Sequence, residues 1–214
     1  MEDSSRVFRH ASKPRLVLAT LNAAKARELE SLLGAVPFDV VPLAAFPEAR
    51  LPPEEVGSYA ANALAKARAA ARLAGALALA DDSGLEVDAL AGAPGVASAR
   101  YGGPGLSDAG RCARLLEALR GVPAERRTAR FRCVIALADP AGRERVVEAT
   151  VEGRLTLAPR GTGGFGYDPI FLYPPLGQTF AGLAQEVKNR VSHRARAVAL
   201  ARELLLAWFP AAEP

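Results

Sequence analysis

Two hydrophobic periods run along this chain, and the places where one gives way to the other mark its elements. Residues 15–19 form a short apolar run that predicts a first strand, and residues 23–33 carry apolar positions at helical spacing up to Gly34. A second strand is expected over 38–43. A connection rich in Pro and Glu, 47–57, then leads to Ser58, a cap for an alanine-rich helix running to about Leu73. Residues 76–80 read as a buried strand and 85–87 as a short extended piece. Ser83 and Gly84 between them read as a turn.

The glycines and prolines between 92 and 105 predict an ordered loop region without regular structure. Ser107 or Asp108 caps a helix to about Arg120. Residues 129–138 and 145–152 are strand candidates joined through Asp139-Pro140-Ala141-Gly142, a hairpin signal. A glycine-rich loop, 161–169, enters the apolar Ile170-Phe171-Leu172, and Ser192 caps a final helix to about Trp208. Strands alternating with helices, followed by a hairpin-rich section, predict an α/β fold: an elongated mixed central sheet flanked by helices, in two lobes with an active-site cleft between them. Residues 14–210 are expected to form a single two-lobed domain behind a flexible extension, 1–13.

Composition narrows the class. The chain has 214 residues, half of them hydrophobic, enough to bury a substantial core. Lys66, Arg68, Arg72 and Gly75 break the alanine-rich stretch, so no run is long enough for a membrane-spanning helix. The first thirteen residues lack the apolar core of a signal peptide, and a cytoplasmic protein with no membrane partner is expected. Cys112 and Cys133 have no zinc or disulfide spacing and read as packing residues. The net charge of +4 suits nucleic acid or a small polyanion. Arg126, Arg127, Arg130 and Arg132 read as a solvated face, and without interleaved aromatics there is little support for binding single-stranded nucleic acid.

Four groups of residues can carry chemistry. Thr20-Leu21-Asn22-Ala23-Ala24-Lys25 lies where the first strand meets the first helix, and free N–H groups at a helix start attract phosphate. Glu54 and Glu55, with Asp81 and Asp82, supply the oxygen ligands that Mg2+ prefers, one or two carboxylates sufficing when substrate phosphates supply others. Phe165-Gly166-Tyr167-Asp168 combines a close-approach glycine with aromatic faces for a planar base. Lys188, Asn189, His193 and Arg194 converge at the start of the last helix, where a phosphate or a carbonyl-bearing base would find donors.

Taken together with Gly92-Ala93-Pro94-Gly95-Val96-Ala97-Ser98-Ala99-Arg100-Tyr101, these blocks resemble the inosine triphosphate pyrophosphatase family from about Arg15 to Trp208. The resemblance implies Mg2+-dependent hydrolysis of non-standard purine nucleoside triphosphates (ITP, dITP, XTP) to the monophosphate and pyrophosphate, in a homodimer with no nucleic-acid partner. It implies that residues 20–25 hold the triphosphate, that Asp82 is the catalytic acceptor and a metal ligand with Glu54, and that Ser83 touches substrate. Phe165, Gly166, Tyr167, Asp168, Lys188, His193 and Arg194 match substrate-contacting positions, and Lys66 is a further candidate. Leu21 stands where the family usually has Gly, Gly182 where an acid is common, and Val187 replaces an acid beside Lys188.

Overall fold

The structure, a computed structural model, describes residues 13–55 and 57–208. All but Lys13 of the expected N-terminal extension therefore lies outside the described residues. One seven-stranded sheet runs through the described chain in the order β2-β1-β3-β4-β5-β6-β7. Strands β1 (Arg15–Leu18), β2 (Asp39–Pro42) and β3 (Leu77–Val87) are parallel, linked by helices α1 (Ala23–Leu33) and α2 (Tyr59–Ala74). Strands β4 (Thr128–Ala138), β5 (Glu144–Leu155), β6 (Phe171–Tyr173) and β7 (Gln178–Thr179) extend the sheet antiparallel from β3.

Helices cover both faces of the parallel end. On one face Leu77 and Leu79 of β3 pack with Leu29 and Leu33 of α1 and with Ala197, Val198 and Ala201 of α5 (His193–Trp208). On the other, Ala78 and Ala80 meet Ala63, Ala67 and Ala70 of α2, where small side chains on both elements bring helix and sheet close together. At the antiparallel end Leu85, Phe131, Phe171 and Phe180 form a third cluster with Leu115 of α3 (Asp108–Ala118). The caps follow the sequence: Asn22, Ser58, Ser107 and Ser192 side chains each accept a backbone N–H from the helix they open.

Four local expectations need correction. Strand β3 continues through Ser83 and Gly84, which pair with Cys133 and Arg132 of β4, so there is no turn there. Cations from the flanking helices neutralise the two acids, and the strand need not leave the core to solvate them. Gly84 serves close approach instead: a Cβ on it would collide with the Gly95 carbonyl, the Tyr59 hydroxyl and Ser98 Oγ. Residues Gly95–Arg100 form a 3-10 helix inside the expected irregular loop. A short helix, α4 (Gln185–Val191), precedes α5, and Arg127 is buried rather than solvated, donating to the carbonyls of Val122, Leu119 and Thr156.

Candidate active site

The two acids of β3 have different hydrogen-bond partners. Asp81, 2 % exposed, accepts from Arg194 Nε and Nη2 at 3.2 Å each and lies 3.3 Å from Lys25 Nζ. Burial opposes its ionisation, but Lys25 and Arg194 outweigh burial and hold the carboxyl far below the usual range. Glu28 of α1 shares this network, accepting from Arg194 Nη1 at 2.6 Å, with Lys188 Nζ 3.6 Å away.

Asp82, on the same strand, takes its partners from α2. Lys66 Nζ lies 3.2 Å from Asp82 Oδ1 and 3.0 Å from Glu54 Oε1, so one ammonium stands between two carboxylates. Asn62, one turn earlier on the same face of α2, donates to Asp82 Oδ2 at 3.0 Å. The same amide donates to the Glu55 carbonyl and accepts from the Glu55 N–H, which fastens the acidic segment to the helix. Burial pushes the Asp82 carboxyl above its ordinary range despite Lys66 and Asn62. For Glu54, burial is outweighed by Lys66, and its carboxyl is held low. Burial likewise opposes the charge on Lys66, but Asp82, Asp81 and Glu54 outweigh it and strengthen the ammonium. Among the described residues no group of three His, Cys, Asp or Glu side chains gathers as a metal cluster.

A cavity of about 230 Å³ opens between the α1–α5 side of β3 and the α3 end of the sheet. Asn22, Ala24 and Lys25 form one wall; Asn22 Oδ1 accepts from the Ala24 and Lys25 N–H groups. Ser83 lies at its floor beside Arg194, whose Nη2 donates to Ser83 Oγ. Phe165, Gly166, Tyr167 and Asp168 close the opposite side. The Phe165 ring centroid is 5.1 Å from Lys188 Nζ and 5.4 Å from Arg194 Cζ. Lys188 donates to Asp168 Oδ2 at 2.6 Å, and burial still pushes the Asp168 carboxyl above its ordinary range. Gly164, at φ +69°, leaves the room this carboxylate occupies.

His193 also lines the cavity. Its ring stacks on Phe131 at 4.5 Å and 10°, and burial, with Arg194 and Lys188 nearby, holds the imidazole neutral. Its Nδ1 is buried without a hydrogen-bond partner.

Of the sequence candidates, Thr20, Leu21, Ala23, Glu54, Glu55, Lys66, Asp81, Asp82 and Asn189 do not line this cavity. Thr20 is buried, its Oγ1 accepting from the Asn22 N–H, while Leu21 is 53 % exposed and Ala23 is exposed. Asp82 and Glu54 lie on the α2 side. Sequence reasoning missed Asn62 and Glu28, and also Asp108 and Arg111 of α3, which line the cavity. Asn62 and Glu28 carried a usable signal, since each is a polar residue in the buried stripe of an otherwise apolar helix face.

The Ham1 family model matches residues 16–204. The chain is 51 % identical over 191 residues to a dITP/XTP pyrophosphatase of Desulforamulus reducens, covering 89 % of this chain and 95 % of that one. Among solved structures, a HAM1 protein from Coxiella burnetii superposes with a TM-score of 0.80 at 40 % identity, over 91 % of this chain and 99 % of the other. A nucleoside-triphosphatase, or dITP/XTP pyrophosphatase, from Mycobacterium abscessus gives 0.72 at 43 %, over 87 % and 98 %.

Proposed function

The chain belongs to the Ham1 family, and on that premise we propose that it hydrolyses non-standard purine nucleoside triphosphates, dITP, XTP and ITP, to the nucleoside monophosphate and pyrophosphate. The observation that carries this reading is the adjacency of a base-sized cavity, lined by Phe165 and His193, to a helix start bearing Lys25 and to the two acids of β3.

In this reading the purine enters the cavity beside Phe165 and Tyr167, and the triphosphate passes Asn22, Ala24 and Lys25, where an ammonium at a helix start offsets its charge. Of residues 20–23 only Asn22 borders the cavity, and the exposed Leu21 stays clear of it. Asp82, with its carboxyl raised by burial, orients and deprotonates the attacking water; a base poised above the ordinary carboxylate range is the better proton acceptor. Asp81 stays ionised and fixes Arg194, Lys25 and Ser83 around the substrate.

Glu54 and Asp82 are the residues that would hold Mg2+, whose chemistry there is to neutralise phosphate charge. The donor set fits: two carboxylates already share one cation, Lys66, and substrate phosphates and water supply the other oxygens Mg2+ requires.

Base choice follows from hydrogen bonding. Hypoxanthine and xanthine present an acceptor at O6 where adenine presents an amino group, so donors from the Lys188, His193 and Arg194 side of the cavity would favour the former. A mismatched buried donor costs about 1–3 kcal/mol, roughly ten- to a hundredfold or more in selectivity. Pyrophosphate release from ITP, dITP, XTP, ATP and GTP, with and without Mg2+, tests the reading. Equal rates on all five, or release of orthophosphate instead, would overturn it.

The proposal extends to one domain over 14–210, a homodimer and a cytoplasmic location. The unbroken sheet supports the first. Sedimentation and fractionation test the others, and a flat salt dependence of affinity for oligonucleotides would agree with the absence of a nucleic-acid partner.

A further inference from the structure

Both backbone polar groups of Gly166 are held by side chains from a single helix. Asp108 Oδ2 accepts from the Gly166 N–H at 2.7 Å, and Cys112 Sγ, one turn further along α3, donates to the Gly166 carbonyl at 3.3 Å. Asp108 is itself fixed: Arg111 Nη2 donates to its other oxygen at 2.7 Å, and Arg111 Nη1 donates to the Leu106 carbonyl at 2.6 Å. Gly166 has φ +61°, so the loop turns at the held residue. Its neighbours face the cavity. Phe165 stacks over Lys188 and Arg194, and the Tyr167 hydroxyl donates to the Ser98 carbonyl at 2.8 Å.

We infer that Asp108 and Cys112 are positioning residues that anchor the Phe165–Asp168 loop to α3 and thereby set the affinity of the cavity for the substrate's base. The inference rests on the reading of that loop as the base site. Spacing supports it, because positions 108 and 112 share one face of the helix and grip one residue's backbone from both sides. Asp108 makes a charge-assisted bond and carries most of the effect; a thiol is a weak donor and adds less. Hydrolysis itself proceeds at Asp82, on the other face of β3, so the anchor acts on binding.

Steady-state kinetics with ITP and amide hydrogen exchange at Gly166 test the anchor. In Asp108→Ala, KM should rise roughly tenfold with kcat changed less than about twofold, and the Gly166 amide should exchange faster. Asp108→Asn keeps an acceptor for that amide while giving up the ion pair to Arg111, and should restore slow exchange and most of the affinity. Cys112→Ala should raise KM about two- to threefold, with Cys112→Ser, which retains a donor, close to wild type. A folded Asp108→Ala protein with wild-type exchange at Gly166, or with kcat lowered as much as kcat/KM, overturns the inference. Should Asp108→Ala not fold, the two Cys112 variants decide the matter through the same readouts, and wild-type KM in Cys112→Ala then overturns it. A wild-type protein that releases no pyrophosphate from ITP defeats the base-site reading instead, and exchange at Gly166 still decides the anchoring.

Discussion

Asp81 and Asp82 share a peptide bond yet answer to different helices: Asp81 is paired with Arg194 of α5 and Lys25 of α1, Asp82 with Lys66 and Asn62 of α2. The alternation of a strand sends consecutive side chains to opposite faces, and here both faces are covered. The two carboxylates differ accordingly, Asp81 held low and Asp82 raised.

Neutralising each acid in turn should therefore separate chemistry from stability. Asp82→Asn should lower kcat by about a hundred- to ten-thousandfold, the range expected for losing the proposed general base, and leave the fold intact. Asp81→Asn should cost about 2–4 kcal/mol of stability, because Arg194 keeps only Glu28 as a buried carboxylate partner. Urea unfolding and pyrophosphate release on both variants check the division; equal destabilisation would contradict it.

Through His193 and Asp81 acidification should weaken the fold in two stages, against an opposing contribution from the raised Asp82 and Asp168 carboxyls, which the folded chain protonates first. The folded-state pKa of His193 is depressed, so the unfolded chain takes up a proton first, and stability is lost as pH falls below about 6.5, by up to about 1.4 kcal/mol per pH unit. Asp81 is also depressed, and its contribution persists until pH falls below about 4. His193→Gln should flatten the upper stage and leave the lower one. Unfolding midpoints across about pH 3–8 supply the measurement.

Asn62 ties Asp82 to the Glu55 backbone, so its loss should be felt at both. Asn62→Ala should lower kcat about tenfold to a hundredfold and destabilise by about 1–3 kcal/mol, the cost of stranding buried polar groups. Asn62→Asp places a third carboxylate beside Glu54 and Asp82 and should be worse. Recovery of activity in Asn62→Asp would show that Asn62 does not act through its donor to Asp82.

Gly84→Ala tests the close approach of the 3-10 helix to β3. The added methyl collides with the Gly95 carbonyl, the Tyr59 hydroxyl and Ser98 Oγ, and about 1–3 kcal/mol of stability should be lost. Thermal unfolding against wild type gives the answer.

Much of the frame was legible because its signals are local. Helix α1 starts and stops at Asn22 and Gly34, α2 at Ser58 and Gly75, and the hairpin turns at Asp139 to Gly142. The continuity of β3 was not legible. Asp81-Asp82-Ser83-Gly84 carries every local mark of a turn, and what keeps it extended is charge from Lys25, Lys66 and Arg194, remote in sequence. Arg127 misled for a related reason, since the carbonyls of Leu119, Val122 and Thr156 converge on it only in the folded chain. The motif residues from four segments do gather near β3, but Asp108 and Arg111, which sit in an ordinary capped helix start, become visible only when Gly166 is folded against them.

The unbroken strand β3 also works as a ruler. Ser83, Gly84 and Leu85 border the cavity, while Asp82 precedes them on the same rigid segment, hydrogen-bonded to β4 along its length. The separation between the cavity floor and the acid is thus graduated in covalent bonds, with no hinge between them. In the proposed reading, loops around the site can breathe and alter how long a nucleotide stays, but they cannot change which of its bonds lies opposite the acid.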